Sequence, residues 1–205
     1  MRRTSSDAEY LEDGTVTVDA DGIPVTLSGK ADKTYVDQVV PIRILTGQGT
    51  PEGRVTAPVG SSYTDSAGTN GAIRWIKASG TGNTGWRVEY GDTGWRNISD
   101  GLLSTWSGTV TISRTQNTVT VLGTNIRPQS TGTTGILDLP AGFRPSRTTA
   151  GAGDETESYL SVFALGYSPF KIEVRKVKNV NSWVSFSITY VTRDDWPTSL
   201  PVAPL

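Results

Sequence analysis

The chain has 205 residues, a hydrophobic fraction of 35% and a formal net charge of −1. Without a basic field to neutralise a phosphate backbone, nucleic acid is not expected as a partner. Histidine and cysteine are both absent. This excludes Ser-His-Asp triads, thiol nucleophiles, disulfides and zinc–thiolate sites. We therefore predict a protein that is not an enzyme and carries no cofactor.

Glycine accounts for 23 residues, and threonine and serine are abundant. This composition favours short strands joined by tight turns and argues against long helices. A low apolar content also suits a chain that completes its core against copies of itself. No apolar run approaches the roughly 20 residues that span a bilayer, and none follows the basic N-terminus, so neither membrane insertion nor a secretory signal is expected.

The first predicted segment comprises residues 1–47 and is polar. Thr15–Val18 and Pro24–Leu27 are predicted as two short strands, separated by the turn Asp19–Gly22. Ala31–Gln38 is predicted as a brief helix capped by Asp32. The segment is too small to hold its own core, which indicates that it attaches to a partner or pairs within an oligomer.

The second segment, residues 48–102, is rich in glycine and tryptophan, and Thr84–Arg87 recurs as Thr93–Arg96. Trp86, Val88 and Tyr90 alternate with polar residues, which is the period of a strand with one buried face. A second strand is predicted to place three side chains on one face: Ile73, Trp75 and Lys77. The pattern predicts a small neck domain built as a meander of hairpins.

The third segment, residues 103–205, contains several alternating runs with turns between them. Leu160–Tyr167 is apolar on both faces and is predicted as a central strand. Trp106 and Trp183 are predicted to begin core-facing strands, the second continuing through the alternating Val184–Tyr190. Short strands at this spacing predict a β-sandwich head resembling a jelly roll, so the fold class is all-β.

Several runs resemble tail proteins of phages that infect Actinobacteria. The most specific is in the second segment: Gly49–Asp65, Gly68–Ala72, Trp75–Lys77 and Gly80–Trp86. Leu139–Pro145 and Asp195–Pro201 are similar to the distal heads of such proteins, and Ala31–Asp37 to a connector common in tail fibres.

The resemblance implies a minor tail protein or receptor-binding fibre tip in the virion, usually a homotrimer. Residues 1–47 would then attach to other tail proteins, 48–102 would form the neck, and 103–205 would face the host surface and its glycans. Two alternatives stay open: a purely structural tail protein without receptor contact, and, less favoured, an enzyme that degrades wall or capsule polysaccharide.

Two regions supply candidate receptor-binding or glycan-binding residues. Trp196 follows Asp194 and Asp195, and carboxylates beside a ring can bind a sugar; alternatively the ring anchors the end of the chain. The acidic run Asp154–Glu157 can bind calcium, or is simply solvated. We predict that the site draws on Asp154, Glu155, Tyr159, Tyr167, Asp195 and Trp196.

Two further points limit the chemistry. Asp194 and Asp195 are adjacent, so on a strand they point to opposite faces and cannot form the carboxylate pair of a glycosidase. Trp75, Trp86 and Trp95 are predicted mainly to fill the small neck core, with sugar stacking as the alternative.

Overall fold

The structure is a computed structural model that describes residues 9–10, 15–17, 24–26, 42–129, 131–155, 158–177 and 182–201. These residues form strands and two single 3-10 turns without any α-helix, so the predicted all-β class is confirmed. None of these helical turns is long and apolar enough to cross a membrane. The chain forms two compact units, Met1–Arg43 and Ile44–Leu205.

In the first unit three short strands form an antiparallel sheet in the order β1-β2-β3. The strands are β1 (Glu9–Tyr10), β2 (Thr15–Thr17) and β3 (Pro24–Thr26). The two predicted strands are therefore present and pair with each other. The predicted helix at 31–38 lies outside the described residues.

The second unit begins with a four-stranded sheet in the order β4-β5-β6-β7. The strands are β4 (Ile44–Gly47), β5 (Ser62–Asp65), β6 (Ala72–Lys77) and β7 (Trp86–Gly91). Only β5, β6 and β7 follow the predicted meander, because β4 pairs with β5 in parallel. A parallel pair needs a crossover connection, which residues 48–61 supply.

One face of this small sheet is buried. Tyr63 and Trp75 lie opposite each other and are 4% and 6% exposed. The predicted face of β6 is wrong at Ile73, which is 44% exposed, because the β6–β7 register shifts on either side of Arg74. On β7, Tyr90 is likewise exposed instead of sharing the buried face of Trp86.

The rest of the second unit forms an eight-stranded sheet in the order β11-β14-β13-β12-β15-β10-β9-β8. Its strands are β8 (Arg96–Asn97), β9 (Trp106–Thr115), β10 (Thr118–Pro128), β11 (Gly132–Asp138), β12 (Thr149–Glu155), β13 (Ser158–Ala164), β14 (Lys171–Val177) and β15 (Val184–Val191). The predicted central strand corresponds to β13, which has neighbours on both sides but ends at Ala164.

This sheet curls around one core. Leu102, just after β8, forms an antiparallel bridge with Leu137 of β11, and the Leu103 N–H donates to the Ile136 carbonyl at 2.8 Å. Strands distant in the ladder therefore face each other in a sandwich-like arrangement. The shared core contains Val110, Ile112, Val121, Val162, Val174 and Ile188, all at most 2% exposed.

The two tryptophans predicted to begin core-facing strands behave differently. Trp106 starts β9 and is 5% exposed. Trp183 precedes β15 and is 46% exposed, so its predicted core position is wrong. Val184 takes the first inward position, and the strict alternation of β15 then directs the preceding ring outward, where Arg127 lies 3.6 Å from its centroid.

Candidate functional site

A cleft of about 820 Å³ lies between the small sheet and one end of the large sheet. The small sheet contributes Trp75, Trp86 and Val88 to its wall. The large sheet contributes the β9–β10 turn, including Asn117, and the segment 191–198 that follows β15. Residues far apart in the chain therefore form a single concave surface.

Backbone hydrogen bonds hold the two sides of this cleft together. The Gln116 N–H donates to the Gly91 carbonyl at 3.0 Å, which joins the β9–β10 turn to the end of β7. The Thr93 N–H donates to the Arg114 carbonyl at 3.0 Å, and Asp92 bridges Thr115. The relative position of the two walls is thus fixed by main-chain bonds.

Arg114 is the buried centre of the site, with 5% of its surface exposed. Its guanidinium donates to four carbonyl oxygens: Gln116 at 2.8 Å, Asp195 at 2.9 Å, Asp194 at 3.0 Å, and Gly142. Burial lowers the pKa of Arg114 to about 10, while Asp194 and Asp195 act in the opposite direction. The group is therefore charged at neutral pH and fastens three loops together.

Trp196 is packed on this centre and is 8% exposed. The Arg114 guanidinium lies over its ring, 4.8 Å from the centroid, and the indole Nε1–H donates to the Asn70 carbonyl at 2.9 Å. A methyl group added to Gly91 would lie 2.9 Å from Cη2 of Trp196. The ring is buried in the small-sheet cluster with Trp75 and Trp86, an arrangement that matches the alternative in which it anchors the end of the chain.

The two adjacent carboxylates have different environments. Asp194 Oδ2 accepts hydrogen bonds from the Gly142 N–H at 2.9 Å and the Arg144 N–H at 3.2 Å. The Asp195 side chain is exposed at the rim of the cleft. Asp194 therefore orders the loop after β11, whereas the Asp195 side chain is open to solvent.

Trp75 and Trp86 both line the cleft, but their indole groups differ. Trp86 Nε1–H donates to the Val55 carbonyl at 2.8 Å. Trp75 is 6% exposed, and its Nε1 is buried without an acceptor among the described residues. An unpaired buried donor costs about 1–3 kcal/mol, so this N–H lowers the stability of the small-sheet cluster. The sequence pattern gave Trp75 no feature that separates it from Trp86.

The formal charges of the side chains on the cleft wall sum to zero. Three carboxylates and three guanidinium groups line it: Glu52, Asp194, Asp195, Arg87, Arg114 and Arg193. The Glu52 carboxylate accepts the N–H groups of Gly85 at 3.1 Å and Trp86 at 2.8 Å, so it holds the turn before β7. Side-chain amides of Asn70, Gln116 and Asn117 complete a polar wall without net charge.

The six predicted site residues fall into two groups. Asp154 lies directly opposite Tyr159 on β12 and β13, and Glu155 lies opposite Val184, the first residue of β15. Asp154 is exposed and borders a shallow groove of about 500 Å³. Asp195 and Trp196 instead follow the last residue of β15, Val191.

Tyr167 belongs with the second group. The Gly166 N–H donates to Thr148 Oγ1 at 3.1 Å, and the Ser146 N–H donates to the Val191 carbonyl at 2.9 Å. These bonds place the exposed Tyr167 loop at the end of the sheet where β15 finishes. Eight strand residues span roughly 25 Å, so the six residues do not surround one small ligand.

The acidic run predicted as a possible calcium site is only partly described, because residues 156 and 157 lie outside the described ranges. Within those ranges no three Asp, Glu, His or Cys side chains cluster closely enough to hold a metal ion. The resolved geometry therefore gives no ligand set for a cation.

The scan of protein-family models found no family that matches the chain. The search of curated proteins found no match either. The function is therefore inferred from the sequence segments quoted above and from the geometry of the cleft.

Proposed function

We propose that this chain is a non-catalytic phage tail component that attaches the virion to the host cell surface. The observation that carries the proposal is the composition of the cleft. Part of its wall comes from two regions that contain runs resembling tail proteins, residues 49–86 and 195–201. Ten of the nineteen lining residues belong to these runs, and this overlap supports the proposal.

The proposed assembly is a homotrimer at a fibre tip. In this assembly residues 1–43 attach to neighbouring tail proteins, the small sheet forms the neck, and the large sheet forms a jelly-roll-like head. Each copy carries one cleft on the neck–head side. Weak binding at each cleft is strengthened when several copies engage the same surface, because the later contacts are intramolecular.

The carboxylates of the cleft support a binding role over a hydrolytic one. Glu52 and Asp194 each accept two backbone N–H groups and thereby order loops. Asp195 is the remaining carboxylate on the wall. A glycosidase needs two carboxyl groups free to act on opposite sides of the scissile bond, and this wall offers one.

Three measurements test the proposal. Light scattering on the purified full chain is expected to give the mass of a trimer, and the fluorescently labelled protein is expected to bind susceptible host cells but not resistant ones. Antibodies against the chain should label the tail tip of intact virions. A folded monomer that binds no cells and labels no virion would contradict the proposal; tail labelling without cell binding would favour the purely structural alternative.

A further inference from the structure

We infer that the free edge of β7, where it borders the cleft, binds an extended peptide segment that carries an acidic residue, and that this segment belongs to a protein on the host surface. The peptide would add to the small sheet as a further strand. The inference deepens the proposed attachment function and rests on it only for the source of the peptide. The peptide chemistry follows from the backbone and the charges around β7.

The first observation is the direction of the backbone groups of β7. This strand is the last of the small sheet, and among the described strands it pairs only with β6. The Trp86 N–H is directed away from β6, because the Glu52 carboxylate accepts it at 2.8 Å. Backbone groups alternate in direction along an antiparallel strand, and the register is regular from Trp86 to Val88. The Val88 N–H and carbonyl are therefore also directed to the free edge.

The second observation is that the free part of this edge has defined ends. The Glu52 carboxylate occupies the edge at Trp86, and the Gln116 N–H occupies it at the Gly91 carbonyl, 3.0 Å away. Residues 87–90 lie between these two contacts and span about 13 Å. Unpaired strand edges bind extended chains through main-chain hydrogen bonds. A segment of about three or four residues would fill this gap.

The third observation concerns the side chains beside the gap. Arg87 and Val88 both line the cleft, and successive residues of a strand point to opposite faces. Val88 is half-buried and packs against the small-sheet cluster, so an apolar residue suits the position beside it. Arg87 is exposed on the other face. An acidic residue on the added strand would form a favourable pair with it.

The fourth observation is the charge that the fold leaves available. Arg114 donates to four carbonyl oxygens, and Glu52 and Asp194 each accept two backbone N–H groups. Two guanidinium groups and one carboxylate of the wall are exposed and form no hydrogen bond or salt bridge among the described residues: Arg87, Arg193 and Asp195. Because cations are in excess among these three groups, an acidic peptide is favoured over a basic one.

The experiment applies the full chain to an array of blocked hexapeptides that alternate valine and threonine, with aspartate, lysine or threonine at one central position. Titration calorimetry then measures the affinity of the peptides that bind. The aspartate peptides are expected to bind about two- to fivefold more tightly than the threonine peptides. Methylation of single peptide nitrogens is expected to weaken binding about tenfold at every second position, because only alternate amides of a strand face β7.

Two variants test the residues of the edge. Val88→Pro removes the N–H that is directed to the gap without removing a hydrogen bond to β6, and is expected to weaken binding about tenfold or more. Arg87→Gln is expected to weaken binding of the aspartate peptides about two- to fivefold. The matched control is Arg147→Gln, an exposed arginine outside the cleft, which should leave affinity unchanged.

Thermal unfolding of each variant separates loss of binding from loss of fold. Folded wild-type protein that binds no peptide, or that binds the lysine peptides most tightly, would overturn the inference. Methylation that weakens binding equally at every position would do the same. Because the methylated peptides are measured on wild-type protein, they decide the question even if Val88→Pro does not fold.

Treatment of host cells keeps this inference separate from the proposed function. Protease digestion of susceptible cells is expected to abolish binding of the labelled chain. Cell binding that survives protease treatment would reject the protein ligand and leave attachment standing. Peptide binding by a chain that binds no cells and labels no virion would support the β7 edge as a peptide site and reject the tail assignment.

Discussion

The two hydrophobic clusters of the Ile44–Leu205 unit are built in different ways. The large curled sheet encloses a mainly aliphatic core, and many of its members are fully buried, such as Val110, Val121 and Val174. The small sheet buries aromatic rings together with polar groups, among them Asp65 and Lys77. Its buried cluster also contains Trp196, which belongs to the segment after β15. The core of the large sheet is thus completed by its own strands, whereas the core of the small sheet depends on a ring that is distant in sequence. The cleft forms where this ring packs on the small sheet.

The largest effect on stability is expected from removing the Trp196 ring. Trp196→Ala is predicted to lower the free energy of unfolding by about 3–5 kcal/mol, since it leaves a cavity and an unpaired Asn70 carbonyl. Amide hydrogen exchange should quicken across β5–β7 more than across β10 and β15. Uniform acceleration in both sheets would contradict the proposed dependence of the small sheet alone.

A somewhat smaller loss of stability is expected from removing the Arg114 guanidinium, which packs against the Trp196 ring. Arg114→Met keeps much of the apolar stem but leaves four carbonyls without their donor, and is predicted to cost about 3 kcal/mol in chemical denaturation. Arg127→Met is the matched control, because this exposed arginine stacks on Trp183 and its loss should cost at most about 1 kcal/mol. Equal losses in the two variants would show that the Arg114 network adds little.

A moderate and local effect is expected at Lys77, which is fully buried. Its ammonium donates to the Gly82 carbonyl at 2.8 Å and to the Thr84 carbonyl. Lys77→Met is predicted to cost about 1–2 kcal/mol, because these carbonyls lie in an exposed loop that water can reach. Limited proteolysis should cut the loop 79–85 faster in the variant, while sites in the large sheet stay protected.

The smallest effect on stability is expected at Asp65, and it depends on pH. Burial raises the pKa of Asp65, but hydrogen bonds with Thr69, Ala67 and Gly49 outweigh it and hold the pKa below its ordinary 3.8. The ionised group therefore stabilises the fold above about pH 4, and this contribution is lost as pH falls through the lowered folded pKa.

Asp65→Asn is accordingly predicted to cost about 1 kcal/mol at pH 7, and the difference from wild type should shrink below pH 4. Asp138→Asn, an exposed partner of Lys171 at 3.9 Å, should show little difference at either pH. A wild-type advantage that persists at pH 2 would contradict this account of Asp65.

The sequence predicted the features that depend on local alternation. The inward side chains of β15 and the burial of Trp106 follow from a period of two, and the central position of β13 follows from a run that is apolar on both faces. The predictions from the sequence were wrong where a single residue changes the alternation of inward and outward side chains. The bulge at Arg74 exposes Ile73, and Trp183 lies one position outside β15. The parallel pairing of β4 had no local signal because its partner lies beyond a crossover.

The cleft itself could not be predicted from the sequence, for a related reason. Asn70 and Trp196 are 126 residues apart, and no pattern within a window of ten or so residues records their contact. Asp195 and Trp196, two of the predicted site residues, both line the cleft. Trp75, however, was distinguished from Trp86 only by a missing acceptor, which is a property of the folded neighbourhood.

The hydrogen bond from Trp196 to Asn70 also sets an order of events during synthesis. A ribosome that has made the small sheet must add the whole eight-stranded sheet before the ring that completes the small core emerges. Chains released early would carry β4–β7 without their last aromatic residue and without the segment that closes the cleft. The cleft would therefore be complete only on chains translated through residue 198.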